Sequence, residues 1–142
     1  MKALNPYLNF SGRTEEAFTF YKSVFGGEFA ALQRFKDMPG SKVAEKEKNQ
    51  LMHVALPLGK VAMLYGSDAP ESMGRKVAMG NNINLMIDAE SQAEADKLFR
   101  GLSAGGKVDM PLQKTFWGAL YGSLVDKYGV HWMINFALEQ PK

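Results

Sequence analysis

The sequence predicts an α+β protein built from two tandem βαβββ modules, and the main observation behind this prediction is an internal repeat. The stretches LNFSGRTEEAFTFYKSVFGGE (8–28) and LMIDAESQAEADKLFRGLSAGGK (85–107) share one pattern: strand, short turn, amphipathic helix, Gly-Gly pair. Three strand-like runs follow each stretch. We therefore predict one domain over residues 1–142, with module one over about 3–68 and module two over about 81–138. Because a single four-stranded sheet with one helix is small, the modules are expected to combine into a curved sheet.

Both predicted helices carry start and stop signals. In the first, over residues 14–25, Glu15 and Glu16 lie in the first turn and Gly26-Gly27 follows the last. In the second, Ser91 and Glu94 have the spacing of a capping box. Its apolar residues recur at i, i+3, i+4 and i+7: Ala95, Leu98, Phe99 and Leu102. We expect this helix to end at Gly105-Gly106.

The strands are predicted from short alternating or apolar runs. They are residues 3–10, 29–36, 51–58, 60–67, 82–88, 107–110, 117–125 and 130–138, with Gly59 joining the third and fourth as a hairpin. The run NNINLMI (81–87) is unusual because asparagine is depleted from strands. If it is a strand, Asn82 and Asn84 share one face, while Ile83, Leu85 and Ile87 share the other.

Composition excludes several classes of protein and site. A hydrophobic content of 46% with 23% charged residues is typical of a globular domain, and a net charge of +2 is too small to indicate nucleic-acid binding. Without cysteine there is no disulfide, thiolate metal site or cysteine nucleophile. The N-terminal MKALNPYLNF lacks the apolar segment of a signal peptide, and no apolar run approaches the roughly 18 residues of a membrane span. We expect a cytoplasmic protein that binds neither nucleic acid nor membrane.

The motifs PYLNFSG, EEAFTFYKSVFGGE and FWGALYGSLVDKYG resemble the PhnB-like branch of the vicinal oxygen chelate superfamily. That superfamily includes glyoxalase I, extradiol dioxygenases and the fosfomycin and bleomycin resistance proteins, and the branch is often labelled 3-demethylubiquinone methyltransferase-like. The likeness runs from Asn5 to about Asn135, and its most specific part is 116–129. The resemblance implies a curved mixed sheet with helices on its outer face, an inner face that lines a cup, and a homodimer whose paired chains complete the cups.

The superfamily's metal enzymes place ligands on the first strand of each module, on the last strand and near the end of module one. The first-strand positions correspond here to Asn5 and Asn82, and the last-strand position corresponds to about Met133. The fourth ligand position falls near residues 63–65. None is histidine, aspartate or glutamate, which a divalent catalytic metal prefers. We therefore predict no metal and no cofactor. The methyltransferase label also lacks support, since no Gly-rich nucleotide loop opens a helix after a strand.

The resemblance implies that uncharged polar residues of several strands face the cup. These are Asn5, Tyr7, Asn9, Asn82, Asn84, His131 and Asn135. Amides supply donors and acceptors without the desolvation cost of an ion, which suits a polar, neutral or zwitterionic ligand. His53 lies on a strand that should reach the same cup. Alternatively, these residues form only the wet face of an open sheet.

Three aromatic residues and two loops are further candidates. Phe116, Trp117 and Tyr121 are placed at a pocket mouth or subunit contact, with packing in the core or at a dimer interface as the alternative. Residues 37–48 and 67–80 are long polar connections that form either lids or ordinary surface loops.

Two classes of function follow. The leading prediction is reversible binding of a small polar molecule, without metal, by a homodimer. The alternative is a glyoxalase- or dioxygenase-like enzyme. It would use a non-standard metal site, such as iron bound by His53, His131 and Asp68, or metal-free acid–base chemistry by His53 or His131. A Ser-His-Asp triad using Ser67 or Ser123 lacks a nucleophile-elbow sequence.

Overall fold

The computed structural model describes residues 1–138 of the chain and divides it into two compact units, Met1–Ala78 and a second that begins at Met79. The elements, in chain order, are β1 (Tyr7–Phe10), α1 (Thr14–Phe25), β2 (Ala31–Arg34), β3 (Leu51–Leu58), β4 (Ala62–Asp68), β5 (Leu85–Asp88), α2 (Gln92–Ser103), β6 (Lys107–Lys114), β7 (Ala119–Val125) and β8 (His131–Ala137). Short 3-10 turns occupy Phe35–Asp37, Glu45–Glu47 and Glu71–Met73. This order confirms the two tandem βαβββ modules.

The first unit contains a four-stranded mixed sheet in the order β1-β4-β3-β2, with β1 parallel to β4 and the other pairs antiparallel. Because strand side chains alternate between faces, Phe10, Val54 and Leu64 all point to the α1 side and are buried there. From the helix, Ala17 and Phe18 are fully buried against this face. The opposite face is not covered by a helix of this unit, and we call it the open face.

The start of α1 is held by a residue from elsewhere in the chain. The side chain of Asp68, at the end of β4, accepts hydrogen bonds from Thr14 N at 3.1 Å and Thr14 Oγ1 at 2.7 Å. Its other oxygen accepts from Leu51 N, at the start of β3, at 2.9 Å. A carboxylate at this position satisfies an otherwise unpaired amide and complements the positive helix terminus. At the other end, Gly26 follows α1 with φ 81°, as predicted.

The second unit repeats this arrangement, with the strand order β5-β8-β7-β6 and β5 parallel to β8. Leu102 of α2 and Leu124, Trp132 and Ile134 of the sheet are fully or almost fully buried. Ser91 Oγ accepts from Glu94 N at 3.0 Å, so half of the predicted capping box is confirmed. The other half is wrong, because the Glu94 carboxylate accepts from Glu90 N rather than from Ser91 N.

In both units a strand glycine lets a helix phenylalanine approach the sheet. A Cβ added at Gly66 would lie 2.5 Å from Phe18 Cε1, and one at Gly122 would lie 2.7 Å from Phe99 Cε2. Both distances are far below van der Waals contact, so these positions require glycine for packing.

The segment DKYG (126–129) has a structural role in the β7–β8 turn. Asp126 is buried, and its carboxylate accepts from Tyr128 N at 2.8 Å, Val130 N at 3.1 Å and Trp132 Nε1 at 2.8 Å. Gly129 follows with φ 89°, a conformation that favours glycine. This turn accounts physically for the aspartate and glycine of the most specific motif in the sequence.

Most strand boundaries differ from the predictions, by one or two residues at β4, β7 and β8 and by more at the other strands named here. The predicted strand 3–10 begins only at Tyr7, so Asn5 lies before it. The predicted strand 29–36 is reduced to β2 because Phe35 begins a 3-10 turn, and the predicted strand 107–110 extends to Lys114. The prediction that Asn82 and Asn84 lie within a strand is wrong, because β5 begins only at Leu85 and the preceding segment is bent and exposed. Asparagine side chains compete for backbone hydrogen bonds and favour such irregular segments. Ile83, expected on the apolar face, is 71% exposed.

Neither helix in the described residues is long and apolar enough to cross a membrane.

Candidate functional site

The open face of the first sheet brings together polar and aromatic residues from three strands. The strand register pairs Tyr7 with Tyr65 and Asn9 with Ser67 across β1 and β4. Ala55 of β3 is also paired with Tyr65, so His53, two residues before Ala55, lies on the same face. The face of His53, which the sequence left undetermined, is therefore the face of Tyr7 and Asn9.

Three rings on this face, those of Tyr7, His53 and Tyr65, form what we call the aromatic cluster. The ring centroids are 5.9 Å apart for Tyr7–His53, 6.0 Å for Tyr7–Tyr65 and 5.6 Å for His53–Tyr65. The corresponding ring planes meet at only 35°, 20° and 29°. Tyr7 is 50% exposed, and the other two rings are partly exposed. The cluster is therefore partly accessible to solvent.

A hydrogen bond links two members of the aromatic cluster: Tyr7 Oη lies 3.2 Å from His53 Nδ1. To make it, the Tyr7 side chain on β1 reaches across β4 to β3. Because a phenol is a much stronger acid than a neutral imidazole, we assign the hydroxyl as donor and Nδ1 as acceptor. In an uncharged imidazole this assignment places the proton on Nε2, where it is a hydrogen-bond donor.

Two asparagines near the aromatic cluster have different surroundings. Asn9 Nδ2 donates to Ser67 Oγ at 3.4 Å, on the same open face. Asn5 precedes β1, and its Oδ1 accepts from Met63 N at 3.1 Å, which continues the contact between this segment and β4. Asn9 is thus part of the candidate site, whereas the side-chain oxygen of Asn5 supports the pairing of its segment with β4.

Asp68 does not belong to this site. It is adjacent to Ser67 in β4, so its side chain lies on the opposite, α1-facing side, where it is 3% exposed and accepts three hydrogen bonds. The iron site considered from the sequence placed Asp68 beside His53 as a ligand, and that part of the prediction is therefore wrong. Within residues 1–138, no three histidine, aspartate or glutamate side chains are grouped as metal ligands.

The open face of the second sheet carries a smaller polar pair. Asn135 Nδ2 donates to Asp88 Oδ1 at 3.0 Å, and Tyr121 of β7 is paired in register with Asn135. His131 lies on the same face of β8 but four residues earlier, about 13 Å away along the strand. The predicted residues Asn135 and Tyr121 are therefore neighbours, and His131 lies apart from them.

The aromatic residues of the β6–β7 turn are exposed. Phe116 is 98% exposed and Trp117 is 59% exposed, with their ring centroids 4.9 Å apart and nearly perpendicular. Trp117 also contacts Tyr121, at 6.2 Å between centroids. Packing in the core of the chain, the alternative given above, is therefore wrong for Phe116 and Trp117. A place at a pocket mouth or subunit contact stays a prediction.

The two long loops of the first unit are joined through a buried carboxylate. Glu47 accepts hydrogen bonds from Ser72 Oγ, from Ser72 N at 3.4 Å and from Ala44 N at 3.1 Å. These hydrogen bonds hold the pKa of Glu47 below its ordinary value, and the bond from the Ser72 hydroxyl contributes most. These contacts connect residues 37–48 to residues 67–80.

Beside this junction is a cavity of about 190 Å³. It is lined by Ser11, Lys46, Glu47, Gln50, Ala69 and Glu71. Gln50 Oε1 is buried and accepts no hydrogen bond. A buried acceptor without a hydrogen-bond partner lowers the stability of the fold.

Sequence reasoning missed two residues of these faces, Tyr65 and Asp88. The hairpin turn at Gly59 could have placed Tyr65 on the same face as His53, because an antiparallel register follows from the turn position. The parallel β1–β4 and β5–β8 pairs bring Tyr7 to Tyr65 and Asp88 to Asn135. No short-range signal in the sequence marks those pairs.

The chain matches a family model described as 3-demethylubiquinone-9 3-methyltransferase over residues 2–135. It is 33% identical to the protein YjdN of Escherichia coli K12 over 144 aligned positions, which cover 97% of each chain.

Solved structures agree with this match. The PhnB protein from Bacillus cereus is 25% identical, with a TM-score of 0.76 over 94% of this chain and 98% of that one. A glyoxalase/bleomycin resistance protein/dioxygenase family enzyme from Burkholderia phytofirmans PsJN is 22% identical, with a TM-score of 0.58 over 93% of this chain and 97% of that one. The latter similarity concerns the fold alone and confirms the predicted glyoxalase-like architecture.

Proposed function

We propose that this chain, which belongs to the PhnB-like 3-demethylubiquinone-9 3-methyltransferase family, binds a small polar molecule reversibly on the open face of its first sheet. The observation that carries the proposal is the aromatic cluster of Tyr7, His53 and Tyr65, where accessible rings lie beside hydrogen-bonding groups. Binding does not require a metal in this proposal, because imidazole, phenol and amide groups can hydrogen-bond a ligand directly.

The composition of this face fits a ligand-binding surface better than it fits a sheet face that is only solvated. A wet sheet face needs only polar or charged side chains, whereas here two partly exposed tyrosines and a partly exposed histidine lie together. Small-molecule sites combine aromatic side chains with a few placed polar groups in this way. Asn9, two residues from Tyr7 along β1 and about 7 Å away, adds an amide at one side of the cluster.

A ligand screen followed by mutation tests the proposal. We expect compounds that raise the melting temperature to bind equally well with and without EDTA, and to lose about tenfold in affinity on His53→Ala, since one hydrogen bond is removed. The matched control is His131→Ala, which changes the other histidine of the chain and should leave affinity unchanged. Hits that are insensitive to His53→Ala and to Tyr65→Ala would reject this site.

The hydrogen bond between Tyr7 and His53 favours one alternative, a metal-free acid–base enzyme. With Nδ1 accepting from the Tyr7 hydroxyl and a proton on Nε2, His53 can act as a general acid: it would transfer the Nε2 proton to a bound substrate while Nδ1 takes the Tyr7 proton, and the reverse transfer would restore both groups. In that case His53→Gln should abolish turnover of a bound compound, detected by mass spectrometry, while binding persists. Unchanged compounds after long incubation with the wild-type protein favour binding alone. Methyl transfer, named in the family description, forms no part of either proposal.

We also propose that the chain forms a homodimer, as the family resemblance implies. The exposed Phe116 and Trp117 are one surface available for a subunit contact or for the mouth of a pocket. Sedimentation equilibrium should give twice the chain mass. If these aromatics form the contact, Phe116→Ser combined with Trp117→Ser should shift the protein toward monomer without lowering its helix content. If they border a pocket instead, the double variant should stay dimeric and bind the screened compounds less tightly.

A further inference from the structure

We propose that the ligand of the first sheet is a small organic monocarboxylate, a molecule with a single negative charge. This inference rests on the proposed function and adds the charge class of the ligand. Two features of the open face carry it: the kinds of ionisable group at its strand positions and the hydrogen-bond donors around His53.

In the part of the chain that the structure describes, the strand positions of the open face carry no carboxylate, ammonium or guanidinium group. Up to the β-bulge at the end of β2, the register pairs place alanine, proline, methionine and six polar residues there: Tyr7, Asn9, Gln33, His53, Tyr65 and Ser67. Phenols are uncharged near neutral pH, whereas an imidazole gains a positive charge as the pH falls below neutral. These positions therefore supply at most one positive charge, on His53, and no negative charge.

This pattern of charges favours a monoanion as the ligand. A cation finds no carboxylate at these positions, and a dianion finds neither lysine nor arginine. A single negative charge can be matched by the protonated imidazole of His53, and hydrogen bonds between ionised partners are about twice as strong as neutral ones. An organic carboxylate carries one such charge at neutral pH.

The donors around His53 suit the two oxygens of a carboxylate. Nδ1 of His53 is 3.2 Å from Tyr7 Oη, which reaches it from the β1 side of the sheet, so Nε2, on the other side of the imidazole ring, is directed away from Tyr7. On the β2 side, Gln33 is paired in register with His53 and is exposed, and its amide has no hydrogen-bond partner among residues 1–138. His53 Nε2 and Gln33 Nε2 can therefore donate to one carboxylate. Protonation of His53 preserves its contact with Tyr7, because a hydroxyl can accept as well as donate.

The charged groups nearest this face lie outside these positions. Arg34, after the bulge in β2, forms an ion pair with Glu15 of α1 at 2.7 Å. The cavity that contains Lys46, Glu47 and Glu71 adjoins the ends of β1 and β4. Carboxylates, ammonium groups and guanidinium groups keep their charge between about pH 6 and pH 8, whereas an imidazole changes its charge in that range. A change in ligand affinity between these pH values therefore reports on the imidazole.

Three probes of nearly the same shape separate the charge classes. Isobutyrate carries one negative charge, isobutyramide is neutral and isopropylammonium is positive, and saturation-transfer NMR of their methyl signals measures binding to every variant. Titration to about 50 mM at constant ionic strength is needed, since ligands of this size bind in the millimolar range. At about pH 6 we expect isobutyrate to bind about tenfold more tightly than either other probe, and to lose about that factor at pH 8. Sulfate, a dianion, should not displace isobutyrate.

Variants of this face then assign the preference to side chains. His53→Gln keeps a hydrogen-bond donor but cannot gain a charge, so its affinity for isobutyrate should be independent of pH and equal to its affinity for isobutyramide. Gln33→Leu removes the second donor, so isobutyrate should bind about fivefold more weakly at both pH values. The matched controls in the second unit, His131→Gln and Gln113→Leu, should change neither the affinity nor its pH dependence.

The outcomes separate this inference from the proposed function. If isobutyrate and isobutyramide bind equally well and both require His53 and Tyr65, the anionic class is wrong and the binding site stands. The same conclusion follows if no probe binds while neutral or cationic compounds from the screen depend on His53. An affinity for isobutyrate that keeps its pH dependence in His53→Gln also overturns the inference, because the charge that attracts the anion is then elsewhere. If no compound of any class depends on His53, Tyr7 or Tyr65, the inference and the proposed function both fail.

Discussion

Asp68 connects three elements of the first module, so replacing it should destabilise the fold strongly. Its carboxylate accepts from Thr14 N and Thr14 Oγ1 at the start of α1 and from Leu51 N at the start of β3. All three residues are buried. In Asp68→Ala the two backbone amides lose their acceptor, and solvent has little access to replace it.

The size of the effect can be estimated from those orphaned donors. A buried donor left without a partner costs about 1–3 kcal/mol, so two of them in Asp68→Ala should lower the free energy of unfolding by about 4 kcal/mol. Asp68→Asn keeps one acceptor oxygen and turns an amide nitrogen toward the other donors, so its cost should be intermediate, about 2 kcal/mol.

Equilibrium urea unfolding monitored by circular dichroism measures these differences. The matched control is Asp109→Ala, an exposed aspartate in β6, which should change the free energy of unfolding by less than about 0.5 kcal/mol. A loss below about 1 kcal/mol for Asp68→Ala, or a larger loss for the asparagine variant than for alanine, would refute the capping role.

Three further predictions concern other parts of the first unit. The hydrogen bonds from Ser72 lower the pKa of Glu47 from its ordinary 4.5, so this carboxylate stabilises the fold above that pH, and its contribution disappears as the pH falls through the lower value of the folded state. Glu47→Gln should therefore flatten the pH dependence of the urea midpoint below pH 4.5, and an unchanged slope would contradict this role. Gln50→Leu removes a buried oxygen without a partner and should leave stability unchanged or raise it by up to about 1 kcal/mol; a clear loss in urea unfolding would show that the oxygen has a partner in solution. Gly66→Ala places a Cβ against the Phe18 ring and should cost about 1–3 kcal/mol in thermal unfolding, whereas an unchanged melting temperature would mean that the ring moves aside freely.

The element order was predictable because its signals are local. Glu15, Gly26 and Ser91 mark helix ends through interactions within one or two turns, and the repeat of the pattern gives the module count. The start of β5 was predicted wrongly for an equally local reason, since the alternation of 82–87 outweighed the preference of asparagine for irregular backbone.

The candidate site was only partly predictable because it depends on contacts distant in sequence. Tyr7, Asn9 and His53 were identified as candidates, but the ring arrangement requires Tyr65, which joins them through a parallel strand pair. Similarly, Asp68 was considered as a metal ligand because its hydrogen bonds to Thr14, 54 positions away, have no local signature. Side-chain type indicated the chemistry, and the register of the strands decided which groups meet.

The proposed binding site is best tested by recording the ¹⁵N signals of both histidine rings while a chemically diverse set of small molecules is added to the EDTA-treated protein. We predict that binding compounds shift the two nitrogens of His53, leave those of His131 unchanged, and lose their affinity in the Tyr65→Leu variant. If His53 stays unperturbed by every compound that stabilises the protein, or if EDTA abolishes their binding, the metal-free site on the first sheet is contradicted.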